Sequence, residues 1–401
     1  MRDGYKKTEI GVIPLDWEVV RLGDIAELTS SKRVHLSDYV DNGIPFYRGK
    51  EITLLKKNEV IDDLLYISEK QYNKIKNQFG IPKKNDILIT AVGTLANSYR
   101  ISNDNPFYFK DGNLIWLKEI SQNSIYIDSI LKFYKKQILD SAIGSSQKAL
   151  TIKELKNIKI PLPPLTQQKK IAKILSTTDN KIEAITKQIE KAEMVKKGLM
   201  QKLFNEVEQN WKFFKLNEIL EFKKEALKMK DEEKYELITV KRRFGGVKSR
   251  GIFLGKEVLV KNQFYLREKN FLISKRQISH GACGLVPKKL NGAIVSNEYN
   301  VFTSKKELLD LDFFNYYVQT PNLHRSFYKH SHGVHIEKML FNTESWLKQK
   351  IIFPPLTQQK KIAKILSTSD QKIEILKSKK EQYQILKKGL MQKLLTGEIG
   401  V

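Results

Sequence analysis

The sequence predicts an α+β protein in which two globular domains of mixed α and β structure are separated by two long helices that pair as an antiparallel coiled coil. Three observations carry this prediction. One segment occurs twice, each copy carries an apolar stripe at heptad spacing, and the residues before each copy contain short β-like runs broken by turn residues. A chain of 401 residues suits two to four domains.

The repeated segment indicates that the chain is a duplicated unit. The fifteen residues PPLTQQKKIAKILST stand at 163–177 and again at 354–368, an offset of 191 positions. The same offset relates KKGLMQKL at 196–203 to its copy. Before these segments the two copies match only at scattered positions, for example among the residues that follow Trp17 and Trp211. The predicted segments, globular and helical in turn, are 1–160, 161–205, 206–350 and 351–401.

The two helical segments are predicted to form the coiled coil. Prolines such as Pro163 and Pro354 exclude helix immediately before them, and Thr166 and Thr357 are suited to be N-caps. At about 1.5 Å per residue, ~40 residues make a helix of ~60 Å. A lone helix would expose its stripe to water, so the two should pack on each other, antiparallel if the globular domains lie at opposite ends. The predicted core residues are Ile171, Leu175, Ile182, Ile185, Ile189, Leu199 and Leu203 in the first helix and Ile362, Leu366, Ile373, Leu376, Tyr383, Leu386, Leu390 and Leu394 in the second.

The globular domains read as mixed α and β structure. The runs 86–90, 114–117 and 270–274 are β-like and are bounded by Gly, Asn and Pro. The segments 125–136 and 311–319 are typical of short helices.

The charge of the chain indicates a polyanionic partner. Lysine and arginine number 71 against 45 aspartate and glutamate, a formal net charge of +26. Such a field attracts nucleic acid or an anionic membrane surface, unless it is only the solvated surface of a lysine-rich protein. No stretch approaches the ~18–20 apolar residues that span a bilayer, and the N-terminus lacks the apolar core of a signal peptide. The single cysteine, Cys283, fits a reducing compartment, so we expect a cytoplasmic protein.

Motifs of catalysis and cofactor binding are absent from the sequence. It contains no Walker A loop and no amino-methyltransferase tetrapeptide, and the glycines after Arg243 lack the strand–loop–helix context of a cofactor loop. His330, His332 and His335 form the one metal-like cluster, for which Cys283 or His280 would have to supply a further ligand. We favour a polar loop over a zinc site, because the first copy has Gly-Ser-Ser-Gln-Lys-Ala at the matching place. We expect no catalytic residue, metal or cofactor in this chain.

Basic residues interleaved with turns and aromatics are the candidate DNA contacts. Arginine offers a bidentate fork to guanine and glutamine to adenine, whereas lysine and backbone amides serve phosphates. For any single residue we favour contact with a phosphate or solvent over contact with a base, and we predict the loops as groups rather than their individual members as the DNA contacts. The candidates are Arg48, Lys50, Arg100, Ser145, Ser146, Gln147 and Lys148 in the first domain and Lys241, Arg242, Arg243, Lys275, Arg276, Gln277, His332 and His335 in the second.

The whole chain resembles a specificity subunit of a type I restriction–modification system. The residues that carry the resemblance are the opening 8–17, the two Pro-Leu-x-x-Gln-Gln segments at 164–172 and 355–363, and the closing 393–397. The alternation of two variable domains with two helical repeats agrees with it. One departure is Gly397-Glu398-Ile-Gly400, where family members often carry basic residues.

The resemblance implies a function without chemistry in this chain. Each globular domain would be a target-recognition domain that reads one half of a bipartite, asymmetric site in double-stranded DNA, and the helices would set the unread spacer. Two modification subunits would dock, supply S-adenosylmethionine and methylate adenine. Restriction subunits would add translocation and cleavage driven by ATP with Mg.

Two other functions compete with this one. A fused nuclease or methyltransferase is disfavoured by the missing motifs. A coiled-coil scaffold with non-specific DNA binding remains as an alternative, since positive charge alone does not specify a sequence. The identity of the two helical repeats indicates either two docking surfaces for copies of one partner or a recent duplication.

Overall fold

The computed structural model describes residues 3–56, 59–144, 148–206, 208–305, 308–336 and 339–401. Its contacts divide the chain into two compact units. Unit 1 consists of Met1–Thr186 with Ser378–Val401, and unit 2 of Lys187–Lys377. Each unit therefore combines one globular part with one half of each long helix.

The first globular part is built from short elements. Its strands are β1 (Tyr5–Thr8), β2 (Gly11–Pro14), β3 (Glu18–Arg21), β4 (Glu27–Thr29), β5 (Tyr39–Val40), β6 (Ile44–Tyr47), β7 (Leu65–Ile67), β8 (Ile87–Thr90), β9 (Ser98–Arg100), β10 (Tyr108–Phe109), β11 (Leu114–Lys118) and β12 (Lys159–Leu162). Its helices are α1 (Leu22–Ile25), α2 (Gly49–Lys56), α3 (Glu69–Phe79), α4 (Ser124–Phe133), α5 (Lys135–Asp140) and α6 (Ile152–Asn157). The first long helix, α7, is Leu165–Asn205.

The second globular part repeats this plan with a different second sheet. Its strands are β13 (Lys212–Lys215), β14 (Leu220–Phe222), β15 (Glu225–Leu227), β16 (Lys234–Val240), β17 (Val247–Leu254), β18 (Gln263–Tyr265), β19 (Phe271–Ser274), β20 (Cys283–Leu285), β21 (Ile294–Ser296), β22 (Tyr299–Ser304), β23 (Ser331–His332), β24 (Leu340–Phe341) and β25 (Lys350–Phe353). Its helices are α8 (Leu216–Ile219), α9 (Leu311–Tyr317), α10 (Pro321–Lys329) and α11 (Thr343–Leu347). The second long helix, α12, is Leu356–Leu395.

A four-stranded antiparallel sheet is common to both units. Its order is β4-β11-β8-β9 in unit 1 and β14-β22-β19-β20 in unit 2. Every residue of β8 and β19 is buried, which explains why these strands read as continuous apolar runs rather than alternating ones. The second sheets differ, with order β10-β6-β7-β5 in unit 1 and β15-β18-β21-β16-β17 in unit 2. The shared sheet is thus a common frame that carries unlike additions.

The predicted strands and short helices are confirmed to within a few residues, since β8, β11, β19 and α9 lie where the sequence placed them. The helix predicted at 125–136 is interrupted between α4 and α5. The N-cap prediction was wrong, because α7 begins at Leu165 and α12 at Leu356, so Thr166 and Thr357 are already helical. The reason is that the backbone N–H of Gln168 donates to Pro164 O (3.0 Å), which starts the helix two residues earlier than a cap at Thr166 would.

The beginning of each long helix packs in a globular core. Ile171 and Leu175 share a buried cluster with Trp17 in unit 1, and Ile362 and Leu366 share one with Trp346 in unit 2. The last turn of α12 also belongs to the unit 1 cluster, through Leu394 and Leu395. These apolar residues of the helical repeats therefore hold the globular parts to the helices.

Two consecutive glutamines fix the start of each helix against its globular part. In unit 1, Gln168 is 1% exposed, donates to Pro163 O (2.8 Å) and accepts from the backbone N–H of Asn123 (3.1 Å). In unit 2, Gln359 is 1% exposed and bonds Pro354 O (2.9 Å) and the N–H of Asp310 (2.8 Å) in the same way. The repeated glutamine therefore makes the same two bonds in both units.

The glutamine one residue earlier behaves differently in the two units. Gln167 Oε1 accepts from Trp17 Nε1 (2.9 Å) in unit 1. In unit 2 the matching atoms, Trp211 Nε1 and Gln358 Oε1, are buried and make no hydrogen bond with the described residues. The Nε2 of each glutamine donates to a carboxylate, Asp16 Oδ2 (2.7 Å) in unit 1 and Glu208 Oε1 (2.9 Å) in unit 2, so only the bond to the tryptophan differs.

Within each unit the two helix segments run antiparallel and are joined by the same ion pair. In unit 1, Asp179 on α7 pairs with Lys387 on α12 (2.5 Å). In unit 2, Lys196 on α7 pairs with Asp370 on α12 (2.6 Å), and these are the repeats of the first two residues. In both units the start of one helix lies beside the end of the other. The two long helices therefore pair as an antiparallel coiled coil.

The predicted coiled-coil residues differ in burial along the helices. Those buried beyond the globular cores are Ile185, Ile189 and Ile373. Those of intermediate exposure are Ile182, Leu199, Leu203, Leu376, Tyr383 and Leu390. Leu386 is 50% exposed, while the next residue, Lys387, turns to Asp179.

Candidate nucleic-acid interface

In each unit, candidate residues lie on or near the loop that follows the third strand in the order of the shared sheet, which is β8 in unit 1 and β19 in unit 2. In unit 1 this loop is 91–97, and Ala91 donates its N–H to Asn113 O (2.8 Å) and accepts from the N–H of Leu150 (2.9 Å). In unit 2 it is 275–282, and Lys275 donates to Glu298 O (3.0 Å) and accepts from Phe341 (2.9 Å). The same backbone bonds thus hold loops of different sequence.

In unit 2 a basic turn joins this loop. The turn 241–246 connects β16 to β17, and Lys241, Arg242 and Arg243 on it are all exposed. Arg243 donates its backbone N–H to His280 O (2.7 Å). The turn 241–246 and the loop 275–282, which are about thirty residues apart in the chain, are therefore neighbours in the structure. We call the turn 241–246, the loop 275–282 and the segment 331–336 the basic surface of unit 2.

The loop 275–282 carries three candidates with different surroundings. Arg276 is exposed and its Nε bonds Glu298 Oε2 (2.9 Å). Burial, and then the positive charge of Lys224, lower the pKa of Lys275. Gln277 Oε1 is buried and makes no hydrogen bond with the described residues. Arg276 is therefore already partly occupied, and Lys275 carries its positive charge less readily than an exposed lysine.

The histidines lie at the edge of this surface. His332 and His335 are exposed, and His330 Nδ1 lies 2.9 Å from Ser326 O. Cys283 is buried in β20, and burial raises the pKa of its thiol. Within the ranges that the structure describes, no group of three His, Cys, Asp or Glu residues is placed to bind a metal ion.

Helix α10 adds cations that the sequence reading missed. Arg325, Tyr328 and Lys329 are exposed, and Tyr328 is 54% exposed. His324 on the same helix places Nε2 3.2 Å from Ser279 O, which attaches α10 to the loop 275–282. The spacing of the sequence could have predicted these cations, because Leu323 and Phe327 fall on one face of a helix and the cations fall on the other.

In unit 1 the arginine predicted to contact DNA is held by a carboxylate. Glu51 is fully buried, and Arg48 donates to it from the backbone N–H (2.7 Å) and from NH2 (2.6 Å). Burial alone would raise the pKa of Glu51, but the bonds from Arg48 lower it below 4.5. Lys50, in the first turn of α2, is exposed. The fork of Arg48 is therefore committed to the fold of α2, whereas Lys50 is available.

The other unit 1 candidates lie apart from Arg48. Arg100 at the end of β9 donates to Asn85 Oδ1 (3.1 Å), and Lys148 is exposed. Ser145, Ser146 and Gln147 lie outside the described residues. The bond to the loop 91–97 is made by Leu150, two residues after Lys148, as Phe341 makes the bond to the loop 275–282 in unit 2.

A polar cavity of about 330 Å³ lies beside Arg100 in unit 1. It is lined by Lys56, Arg100, Ser129 and Lys387 among others. Ser129 stands six residues after the cap of α4, where unit 2 has Tyr316 in α9, whose hydroxyl bonds Asp370 (2.7 Å). A cavity of about 320 Å³ lies at the matching place in unit 2 and is lined by Tyr316, so the two units differ in the lining of this cavity.

The lysine at this cavity titrates abnormally. Burial, and next the positive charge of Lys132, lower the pKa of Lys56 from 10.5 to about 8, while Asp128 acts in the opposite direction. Its charge is therefore partly lost just above neutral pH, which weakens Lys56 as a phosphate contact.

Two relatives and a family model match almost the entire chain. Residues 14–194 and 208–384 each match the family described as the type I restriction modification DNA specificity domain. The chain is 31% identical over 433 residues to the putative type I restriction enzyme MjaX specificity subunit of Methanocaldococcus jannaschii, covering 100% of this chain and 97% of that protein. It is 30% identical over 427 residues to the MjaVIII specificity subunit of the same organism, covering 97% and 94%.

Solved structures share the fold. The S subunit of a type I restriction-modification system from M. genitalium aligns with a TM-score of 0.63 at 17% identity, covering 98% of this chain and 99% of that one. A second chain comes from work described as the structural basis underlying complex assembly and conformational transition of the type I R-M system. It aligns with a TM-score of 0.56 at 15% identity, covering 96% of this chain and 99% of that one. None of the helices in the described part of the chain combines the length and the apolar composition that a membrane span requires.

Proposed function

The chain belongs to the type I restriction modification DNA specificity family, and we propose that each of its globular parts reads one half of a bipartite, asymmetric DNA site. It is the non-catalytic specificity subunit of a methyltransferase and endonuclease complex. The proposed domains are target-recognition domains at 1–160 and 206–350, with helical repeats at 161–205 and 351–401.

One observation carries the proposal of two different half-sites. Loops of unlike sequence are held by the same backbone bonds, through Ala91 in unit 1 and Lys275 in unit 2. A common frame that presents unlike side chains suits two readers of unlike sequences, because base identity is read by side chains at groove edges. The loop 275–282 carries Lys275 and Arg276 where the matching loop 91–97 has no cation, which supports the asymmetry.

The partners follow from the family. Two modification subunits bind the chain and restriction subunits complete the assembly. We infer that the modification subunits dock on the two helical repeats, since these present the same residues twice. S-adenosylmethionine, ATP and Mg belong to those partners, and we place the complex in the cytoplasm, where the DNA lies.

Mapping methylated adenines in a genome tests the proposal. The chain would be expressed with its modification partner in a host without other adenine methylation, and a strain with the partner alone would be the control. We expect one motif with two unlike half-sites, separated by a spacer of fixed length and free sequence. Methylation that lacks a sequence preference, or one continuous motif, would contradict the proposal and favour the scaffold alternative.

A further inference from the structure

We propose that Arg243 reads a guanine in the half-site recognised by unit 2, and that Phe244 is the residue that positions it. This inference rests on the proposed function, because it assigns one base contact within that half-site. It is carried by the conformation of the turn 241–246, by the contacts of Phe244 and by the partners of the other candidate arginines.

The turn holds two consecutive residues in a conformation that side chains disfavour. Arg243 has φ of 56° and Phe244 has φ of 55°, and Gly246 follows with φ of 74°. Residues other than glycine seldom adopt the left-handed region, and such residues persist only when their surroundings hold them. The turn is therefore a fixed structure whose conformation needs an explanation from its neighbours.

Those neighbours belong to the loop 275–282. Phe244 donates its N–H to Gly281 O (2.9 Å), next to the bond from Arg243 to His280 O (2.7 Å). The turn also closes on itself, since Lys241 donates to Gly246 O (2.9 Å). Gly245 also donates its N–H to Arg242 O (3.2 Å) within the turn. Two bonds to the loop and two within the turn thus hydrogen-bond the backbone in the left-handed conformation.

The ring of Phe244 closes the contact. Its centroid lies 5.0 Å from that of His324 with an interplanar angle of 75°, an edge-to-face arrangement. A Cβ at Gly281 would lie 3.1 Å from two of its ring atoms, and Gly281 itself has φ of 72°. The ring thus occupies a space that a side chain at Gly281 would take, and it joins the turn to both the loop and α10.

Arg243 has an unoccupied guanidinium in this arrangement. Arg48 is bound to Glu51, Arg276 to Glu298 and Arg100 to Asn85, and Arg242 also has a partner within the chain. The side chain of Arg243 is exposed and makes no ion pair or hydrogen bond with the described residues. A guanidinium that is exposed and carried by a fixed backbone suits the bidentate contact with O6 and N7 of guanine.

The experiment uses the chain in complex with its modification subunits and maps methylated adenines for each variant. We expect Arg243→Ala to make one guanine of the unit 2 half-site degenerate and to lower methylation of the original site by about 5- to 100-fold, with the other half-site unchanged. The matched control is Arg267→Ala, which removes an exposed arginine of unit 2 that Glu225 already holds and that lies outside the basic surface. It should leave both half-sites as they are.

The positioning role is tested at the partner of the ring. His324→Ala and His324→Phe both lose the contact with Ser279 O, but only the alanine variant loses the ring edge that meets Phe244. We expect His324→Ala and Phe244→Ala to relax preference at the same guanine that Arg243→Ala relaxes, and His324→Phe to keep it. Relaxation at several positions would contradict positioning, as would equal effects of the two His324 variants.

Two results would overturn the base contact. If Arg243→Ala weakened binding evenly across sequences and reduced the salt slope by about one counterion, Arg243 would contact a phosphate. If the wild-type motif were bipartite and Arg243→Ala left it unchanged, this inference alone would fail. A wild-type chain with no bipartite motif would instead remove the proposed function.

Discussion

Single residues show that a cation in a basic protein is not always available for DNA. Arg48 and Lys50 are two positions apart at the start of α2, yet Arg48 is bound to the buried Glu51 and Lys50 is exposed. A buried carboxylate left without its partner is costly, because its charge has neither water nor a counterion. Arg48 therefore serves first to stabilise unit 1.

The substitution Arg48→Met should lower the stability of unit 1 by about 3 kcal/mol at neutral pH, because Glu51 is left buried and charged. Because the folded-state pKa of Glu51 is below 4.5, the contribution of the pair is complete above that pH and is lost as pH falls through the lowered value. The difference between wild type and variant, followed by thermal unfolding, should therefore shrink in acid. The double variant Arg48→Met with Glu51→Met should recover part of the loss. A difference that stays constant down to pH 3 would contradict this role.

Lys56 should be unusually reactive towards amine reagents just above neutral pH. Its pKa is lowered to about 8, so about half of its amine is neutral at that pH. Mass spectrometry after brief acetylation at several pH values measures this midpoint. Lys132→Gln removes a repelling charge and should raise the midpoint, whereas Asp128→Asn removes an attracting one and should lower it. Shifts of the same sign in both variants would show that the cavity does not govern the titration.

At the scale of elements, the helix pair uses one ion pair twice, but the two copies have different surroundings. Lys196 lies 5.4 Å from the ring centroid of Tyr316, and the hydroxyl of Tyr316 donates to Asp370. In unit 1, Ser129 stands in place of the tyrosine, and Asp179 lines the cavity. The same pair is therefore more enclosed by side chains in unit 2.

A double-mutant cycle should reveal this difference. The coupling between Lys196 and Asp370 should exceed that between Lys387 and Asp179, which we expect to be about 0.5 kcal/mol, as for an ordinary exposed pair. Thermal unfolding of the single and double alanine variants measures both. In a Tyr316→Phe background the unit 2 coupling should fall towards the unit 1 value. Equal couplings in the wild-type background would mean that Tyr316 contributes nothing to the pair.

For the whole molecule, the length of the paired helices should set the spacer of the DNA site. Inserting seven residues after Thr186 and seven after Lys377, which is the matching position of the second repeat, keeps the apolar stripe in phase in both helices and leaves both interhelical ion pairs in register. Each heptad adds about 10 Å, or about three base pairs, so the spacer should lengthen by that amount. Methylated-adenine mapping would show it. Insertion of two residues at the same places turns the stripe about 200° out of phase, and this control should abolish a defined motif. Any change within a half-site would contradict the spacing role.

Much of the fold follows from the sequence, because the duplication and the heptad stripe are local patterns. The prolines at 163 and 354 also limited where the long helices begin. Contacts between distant residues could not be predicted. The amino-acid sequence around Phe244 does not indicate its left-handed backbone or its contact with His324, because both depend on the loop at Gly281. The bond from Arg48 to Glu51, three residues away, could have been anticipated from spacing alone.

The two bonds of Gln168 and Gln359 make the junction between helix and reader a standard connector. On the reader side, each glutamine oxygen accepts a backbone N–H, from Asn123 or Asp310, and each nitrogen reaches Pro163 or Pro354 of the repeat itself. Every residue except proline supplies such an N–H. The connector therefore makes almost no demand on the side chains of the reader, so a gene could exchange one reader for another and keep the joint intact.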